Sequence, residues 1–169
     1  KNKCKGEYII TSVTYRLNKV PVFNTSYGAI EAELEKENVS ERSIRSIARA
    51  VINIRSSKLP DPAVIGNAGS FFKNPEISEN HYKDLQERFP GIVGYPVGNS
   101  MVKLAAGWLI EQCGPVTGKS WKGYRNGDAG CHEKQALVLV NYGKASGADI
   151  YNLSADILES VYTKFSVKL

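Results

Sequence analysis

The strongest demand for a folded core comes from the end of the chain. Ser146-Gly147-Ala148-Asp149 has the form of a capping box, in which a hydroxyl and an acid three residues on satisfy each other's backbone N–H groups. Behind it, Ile150, Leu153, Ile157, Val161 and Phe165 recur at helical spacing, so one face of a long final helix is apolar and must be buried. Just upstream, Ala136 to Asn141 reads as a buried strand. At 169 residues and 42% hydrophobic content, the chain supports one domain with a real core and little else.

Shorter signals precede that pair. Tyr27-Gly28 leads into a helix from Ala29 to Lys36. Ser40 is an N-cap candidate for a helix whose core face is Ile44, Ile47, Ala48, Val51 and Ile52. Ser78 caps a further helix in which Tyr82, Leu85 and Phe89 share a face. Val102 to Cys113 reads as another helix, Tyr8 to Leu17 as a β-branched and aromatic strand, and Ser166 to Leu169 as the start of a strand. Asn18 to Asn24, with Pro21, reads as a linker. The elements interleave irregularly, which predicts an α+β domain with a small, mainly antiparallel sheet and several packed helices.

Several functional classes fall away. No run of about 18 apolar residues exists to span a membrane, and no small-residue cleavage site follows a hydrophobic stretch. Cys4, Cys113 and Cys131 are odd in number and widely spaced, favouring free thiols in a reducing, cytoplasmic compartment over disulfides. No paired spacing suits a metal. The net charge of +5 invites nucleic acid, but the lysines and arginines are scattered and form no recognisable RNA-binding motif with aromatics. A small anionic ligand accounts for local positive charge equally well. Gly114-Pro115-Val116-Thr117-Gly118-Lys119-Ser120 imitates a phosphate-binding loop with one residue too few between its glycines, and it follows a helix instead of a strand. A glycine-proline helix exit is sufficient for it.

The most informative segment for function is Gly66-Asn67-Ala68-Gly69-Ser70-Phe71-Phe72-Lys73-Asn74-Pro75. Two glycines let a ligand approach the main chain, and two aromatics supply strand propensity and anchoring bulk. Ser70 is expected to enter a short strand from a tight turn, and Asn74-Pro75 to end it. A solvated serine on a surface turn is the alternative.

Together with the upstream Ile54-Arg55-Ser56-Ser57-Lys58-Leu59-Pro60-Asp61-Pro62, this segment resembles the UDP-N-acetylenolpyruvoylglucosamine reductase (MurB) family. Tyr95-Pro96, the run from Val102 to Cys113, and His132 to Asn141 extend the resemblance in order over nearly the whole chain. The family's members are flavoenzymes that complete UDP-N-acetylmuramate for bacterial peptidoglycan. The resemblance implies that NADPH reduces FAD, that flavin N5 gives hydride to the enolpyruvyl double bond, and that Ser70 protonates the adjacent carbon. Positioned acid catalysis of that kind is worth about 10²- to 10⁴-fold. Lys58 and Asn74 match residues around the substrate phosphates, Tyr95 and Lys103 match further nucleotide-sugar contacts, Lys122 a diphosphate contact, and Gln135 the uridine end.

Each match has a plainer alternative. Lys58 can be solvated before a proline turn, Asn74 can cap the Pro75 turn, and Tyr95 can be a half-buried strand aromatic. Lys103 and Lys122 can be ordinary surface lysines, and Gln135 a strand-edge residue. In the resemblance the flavin-binding part lies before this region and a catalytic glutamate after it, so both ends look cut. On that reading residues 1–24 are a remnant strand of the flavin domain plus linker, and 25–169 are the substrate-binding domain. The implied partners are UDP-N-acetylglucosamine enolpyruvate and the missing flavin domain, with no nucleic acid or membrane. The isolated chain is expected to bind neither FAD nor NADPH and to be inactive. A stand-alone nucleotide-sugar-binding module is the second reading.

Overall fold

The computed structural model describes residues 7–26, 28–116 and 118–169. The chain divides into two compact units, Lys1–Ile54 and Arg55–Leu169. The first holds α1 (Ile30–Lys36) and most of α2, a helix spanning Ile44–Lys58. Its helices are joined by polar contacts. Arg42 and Arg49 donate to Glu31 and Glu37, both at 2.9 Å, and the Asn53 amide donates to Glu33 and Glu37 at 3.1 and 2.7 Å.

That polar seam corrects the sequence reading of α2. The buried positions are Ser46 and Ala50, whereas Ile44 and Ile52, assigned to a core face, are exposed. Arg42, Arg49 and Asn53 turn toward the acidic α1 and rotate the isoleucines outward. The cap is also three residues later than Ser40. The Ser43 hydroxyl accepts from the Ser46 N–H at 3.0 Å, and the Ser46 hydroxyl accepts from the Ser43 N–H at 2.9 Å. Tyr8 to Leu17 forms no strand and is exposed, because its β-favouring residues find no ladder partner among the described residues.

The second unit contains two antiparallel sheets where one was expected. One has the order β1-β7-β6-β5 and comprises β1 (Gly66–Ser70), β5 (Arg125–Asn126), β6 (Ala129–Cys131) and β7 (Val138–Asn141). The other has the order β2-β4-β3 and comprises β2 (Glu76–Ser78), β3 (Gly94–Gly98) and β4 (Met101–Leu104). The helices are α3 (Glu79–Arg88), α4 (Ala106–Glu111) and α5 (Gly147–Phe165). The α+β class is as expected.

The apolar stripe of α5 forms the centre of the core, with Ile157, Val161 and Phe165 fully buried. Its Ser146 capping box is present in both directions. Phe165 meets Phe89 and Trp108 at centroid distances of 4.7 and 5.9 Å. Ser78 caps α3 by accepting the His81 N–H, and Leu85 is buried beneath it. Ser166 adopts a left-handed conformation that ends α5, so 166–169 is a helix exit and not a strand.

Val102 to Cys113 is the largest misreading. Its first part is the central strand of the second sheet, where Val102 and Leu104 alternate inward, and the helix is only Ala106–Glu111. An apolar run of this length fits either state locally, and pairing with β2 on one side and β3 on the other decides it.

Leu104→Ala should lower stability by about 2–5 kcal/mol, as expected for a fully buried leucine in a central strand. Ser146→Ala should cost about 0.5–2 kcal/mol through the lost cap. Chemical denaturation midpoints check both, and the opposite ranking would contradict this account of the core.

Candidate functional site

The junction of β4 and α4 gathers most of the residues singled out by sequence. Three successive backbone N–H groups there are taken by two flanking segments. Leu104 donates to the Pro75 carbonyl at 2.9 Å, Ala105 to the Val93 carbonyl at 3.0 Å, and Ala106 to the Asn74 side-chain Oδ1 at 3.0 Å. Asn74 therefore tethers the start of α4 to the segment that follows Ser70. Its carbonyl is engaged in the fold, and its Nδ2 has no partner among the described residues.

Gln135 reaches the same turn from the other side. A Cβ built on Gly107 would lie 3.4 Å from Gln135 Oε1, so glycine at the second position of α4 lets this side chain sit close. Gln135 belongs to a tight reversal in which the Val138 N–H donates to its carbonyl at 3.0 Å and its own N–H reaches the His132 carbonyl at 3.4 Å. Ser70 pairs with Val138 across β1 and β7, and the Phe71 N–H donates to the Leu137 carbonyl at 2.7 Å. Asn74 and Gln135 thus meet the first turn of α4 through their side-chain oxygens, and Ser70 is linked to the Gln135 reversal through its pairing with Val138.

Ser70 differs in one respect from expectation: it closes a strand instead of opening one. The register shifts between Asn67 and Ser70, Gly69 has φ +73°, and the Gly69 N–H donates to Asn67 Oδ1 at 3.1 Å. This bulge turns the strand end outward, leaving Ser70 and Phe71 exposed and Phe72 buried.

Tyr95, Lys103 and Glu76 form a row on the exposed face of the second sheet. Glu76 and Tyr95 stand directly opposite Lys103 on its two flanking strands, so all three side chains share one face. Glu76 pairs with the Lys103 ammonium at 3.3 Å. Lys122 is likewise paired, with Glu111 at the end of α4, at 3.0 Å. Ser120 fixes that region by donating to the Glu111 carbonyl at 2.9 Å and accepting the Lys122 N–H at 3.1 Å. Lys58, near the end of α2, is exposed and is not brought to the others by any contact among the described residues.

Glu76 and Glu111 were not singled out by sequence. Glu76 lies two residues beyond Asn74, but its place beside Lys103 follows only from the strand pairing. Cys113 and Cys131 are free and buried, and burial raises the pKa of both thiols, that of Cys131 to about 12. Neither is a ready nucleophile. Cys4 lies outside the described residues. Among the described residues no group of three acidic, histidine or cysteine side chains suits a metal, and no helix is long and apolar enough to cross a membrane.

The α+β fold is that of a reductase's carboxy-terminal domain: residues 61–169 match the family model described as UDP-N-acetylenolpyruvoylglucosamine reductase, C-terminal domain. Relatives bearing that enzyme name occur in Flavobacterium johnsoniae, 49% identical over 170 residues, and in Amoebophilus asiaticus, 49% identical over 169 residues. Each alignment covers 100% of this chain, and respectively 49% and 48% of the relative. A relative in Pseudomonas savastanoi pv. phaseolicola is 47% identical over 164 residues, covering 97% of this chain and 47% of its own length. The chain belongs to the UDP-N-acetylenolpyruvoylglucosamine reductase family, and it spans about half the length of the curated relatives it matches.

His132 makes the Gln135 reversal sensitive to pH. Its Nδ1 accepts the Lys134 N–H at 3.3 Å, and burial, aided by Lys134 and opposed by Glu133, holds its pKa below the ordinary histidine value. The unfolded chain therefore binds this proton more readily than the folded one. The stability this histidine contributes is complete above about pH 6.5 and is lost as pH falls toward the folded value. Denaturation midpoints should decline below that pH in the wild type and less steeply in His132→Asn, whose side-chain oxygen can still accept the turn N–H. Parallel pH curves would refute the assignment.

Proposed function

We propose that this chain supplies the substrate side of a UDP-N-acetylenolpyruvoylglucosamine reductase reaction, acting in peptidoglycan synthesis in the cytoplasm. The observation that carries the reading is that exposed Asn74 and partly exposed Gln135 meet the first turn of α4, while exposed Ser70 pairs with Val138 at the end of the Gln135 reversal, within a chain of this family. Lys103 and Tyr95 extend the polar surface along the strand that leads into that turn.

The substrate in this reading is UDP-N-acetylglucosamine enolpyruvate. Lys58, Lys103 and Lys122 neutralise its diphosphate, Asn74 donates through Nδ2, Tyr95 contacts the nucleotide sugar, and Gln135 reads the uridine end through an amide that both donates and accepts. Ser70 gives its hydroxyl proton to the carbon next to the one that receives hydride. FAD, reduced by NADPH, supplies that hydride when bound. No residue of this chain is assigned to hold either cofactor. What the chain offers is access: a Cβ placed on Gly69 would meet nothing within 4 Å, so the backbone beside Ser70 is open to a planar ring.

In the full-length protein that carries this sequence, Ser70→Ala should spare flavin reduction by NADPH and slow flavin reoxidation by substrate about 10²- to 10⁴-fold. Rapid-mixing absorbance separates the two half-reactions, and equal damage to both would exclude proton donation. The 169-residue polypeptide alone should purify colourless and show no NADPH oxidation with added FAD and substrate. Stoichiometric bound flavin would reject that division of labour. UDP-N-acetylglucosamine should shift the NMR signals of Lys58, Ser70, Asn74 and Gln135, and shifts confined elsewhere would sink the site map.

A further inference from the structure

Glu76 occupies a position with a functional consequence. It lies directly across from Lys103, its carboxylate 3.3 Å from the ammonium, and both side chains are about half exposed, at 49% and 40%. Tyr95 flanks Lys103 on the opposite strand, so the lysine's neighbours in the row are one carboxylate and one phenol. A pair this exposed contributes little to folding, because water and salt screen it and two long side chains lose freedom to form it. Its effect on an arriving anion is larger. A phosphate oxygen bonded to the same ammonium would sit within about 6 Å of the Glu76 carboxylate, close enough for repulsion inside the screening length.

We propose that Glu76 is a specificity-determining carboxylate that competes with the diphosphate of a nucleotide sugar for Lys103 and so lowers affinity for that ligand. This rests on the reading of Lys103 as a nucleotide-sugar contact. A diphosphate carries enough charge to displace Glu76 from the lysine, whereas a singly charged carboxylate or sugar acid gains no advantage over the resident partner. The brake therefore filters anions by charge at a surface that is otherwise open. Glu111 and Lys122 repeat the pairing at the far end of α4, but there Glu111 is anchored in the helix and its lysine is on an adjoining loop. The Glu76 pair is the one set within the strand row that also carries Tyr95.

The test is a double-mutant cycle in the full-length protein, using UDP-N-acetylglucosamine as the probe and calorimetric Kd as the readout. Glu76→Gln keeps the shape and hydrogen-bonding capacity of the side chain and removes its charge. It should tighten binding about three- to tenfold at low salt, and the gain should shrink as salt is raised. Lys103→Met should weaken binding, and Glu76→Gln in that background should leave Kd unchanged. If Lys103→Met weakens binding while Glu76→Gln has no effect or weakens it too, the competition is overturned and the Lys103 assignment stands. Tightening of equal size in the Lys103→Met background also overturns it, since Glu76 would then act without the lysine. If Lys103→Met leaves Kd unchanged, Lys103 is not a ligand contact, and the underlying reading falls together with the proposal.

Discussion

Three consecutive N–H groups at Leu104, Ala105 and Ala106 hold this domain's working surface in place. Buried backbone donors must find acceptors, and an unpaired one costs about as much as a lost hydrogen bond. Here the acceptors come from Pro75, Val93 and Asn74, which lie on two different flanking segments. Leu104 and Ala106 are fully buried beside them, so the junction cannot slide without opening the core. Because it cannot slide, the residues attached to it keep fixed relations. Asn74 sits at the start of α4, Gln135 beside Gly107, Lys103 one residue before Leu104, and Lys122 against the last residue of the helix.

This arrangement engages Asn74 through one end of its amide. Its oxygen accepts the Ala106 N–H, and its nitrogen has no partner among the described residues. The sequence alternative, a cap on the Pro75 turn, is replaced by a bond across the fold to the first residue of α4. Gly114 plays a comparable role at the far end of α4. A Cβ there would lie 2.0 Å from the Lys119 carbonyl oxygen, so glycine is what allows the chain to fold back over the helix exit and bring Lys122 to Glu111.

The parts of the fold visible in the sequence were those stabilised by their own neighbours. The α5 capping box, its apolar stripe and the Ser78 cap of α3 are local devices, and each is present as read. The β7 strand was legible because an apolar run directly before a cap has little room to be anything else. What failed depended on distant partners. Val102 to Leu104 became a strand through pairing with Glu76–Ser78 and Gly94–Gly98. Ile44 and Ile52 of α2 were turned outward where its polar face meets the carboxylates of α1. Tyr8 to Leu17 has strand-forming residues without a ladder to join among the described residues. The candidate site was legible in its residue types, whereas its geometry was not: no spacing in the sequence places Glu76 beside Lys103 or Gln135 beside Gly107.

The charges at the site follow from its exposure. A lysine at an open surface is hydrated and mobile, and a partnered one is held in a single region at modest cost. Lys103 and Lys122 are each held by a carboxylate, whereas Lys58 is exposed. An anion arriving at Lys103 or Lys122 meets a lysine that already has a carboxylate partner. Ser70 takes no part in either pair and stands exposed at the end of β1. Paired charge and exposed hydroxyl therefore rest on different elements: the lysines on β4 and on the loop after α4, the serine at the bulged end of β1.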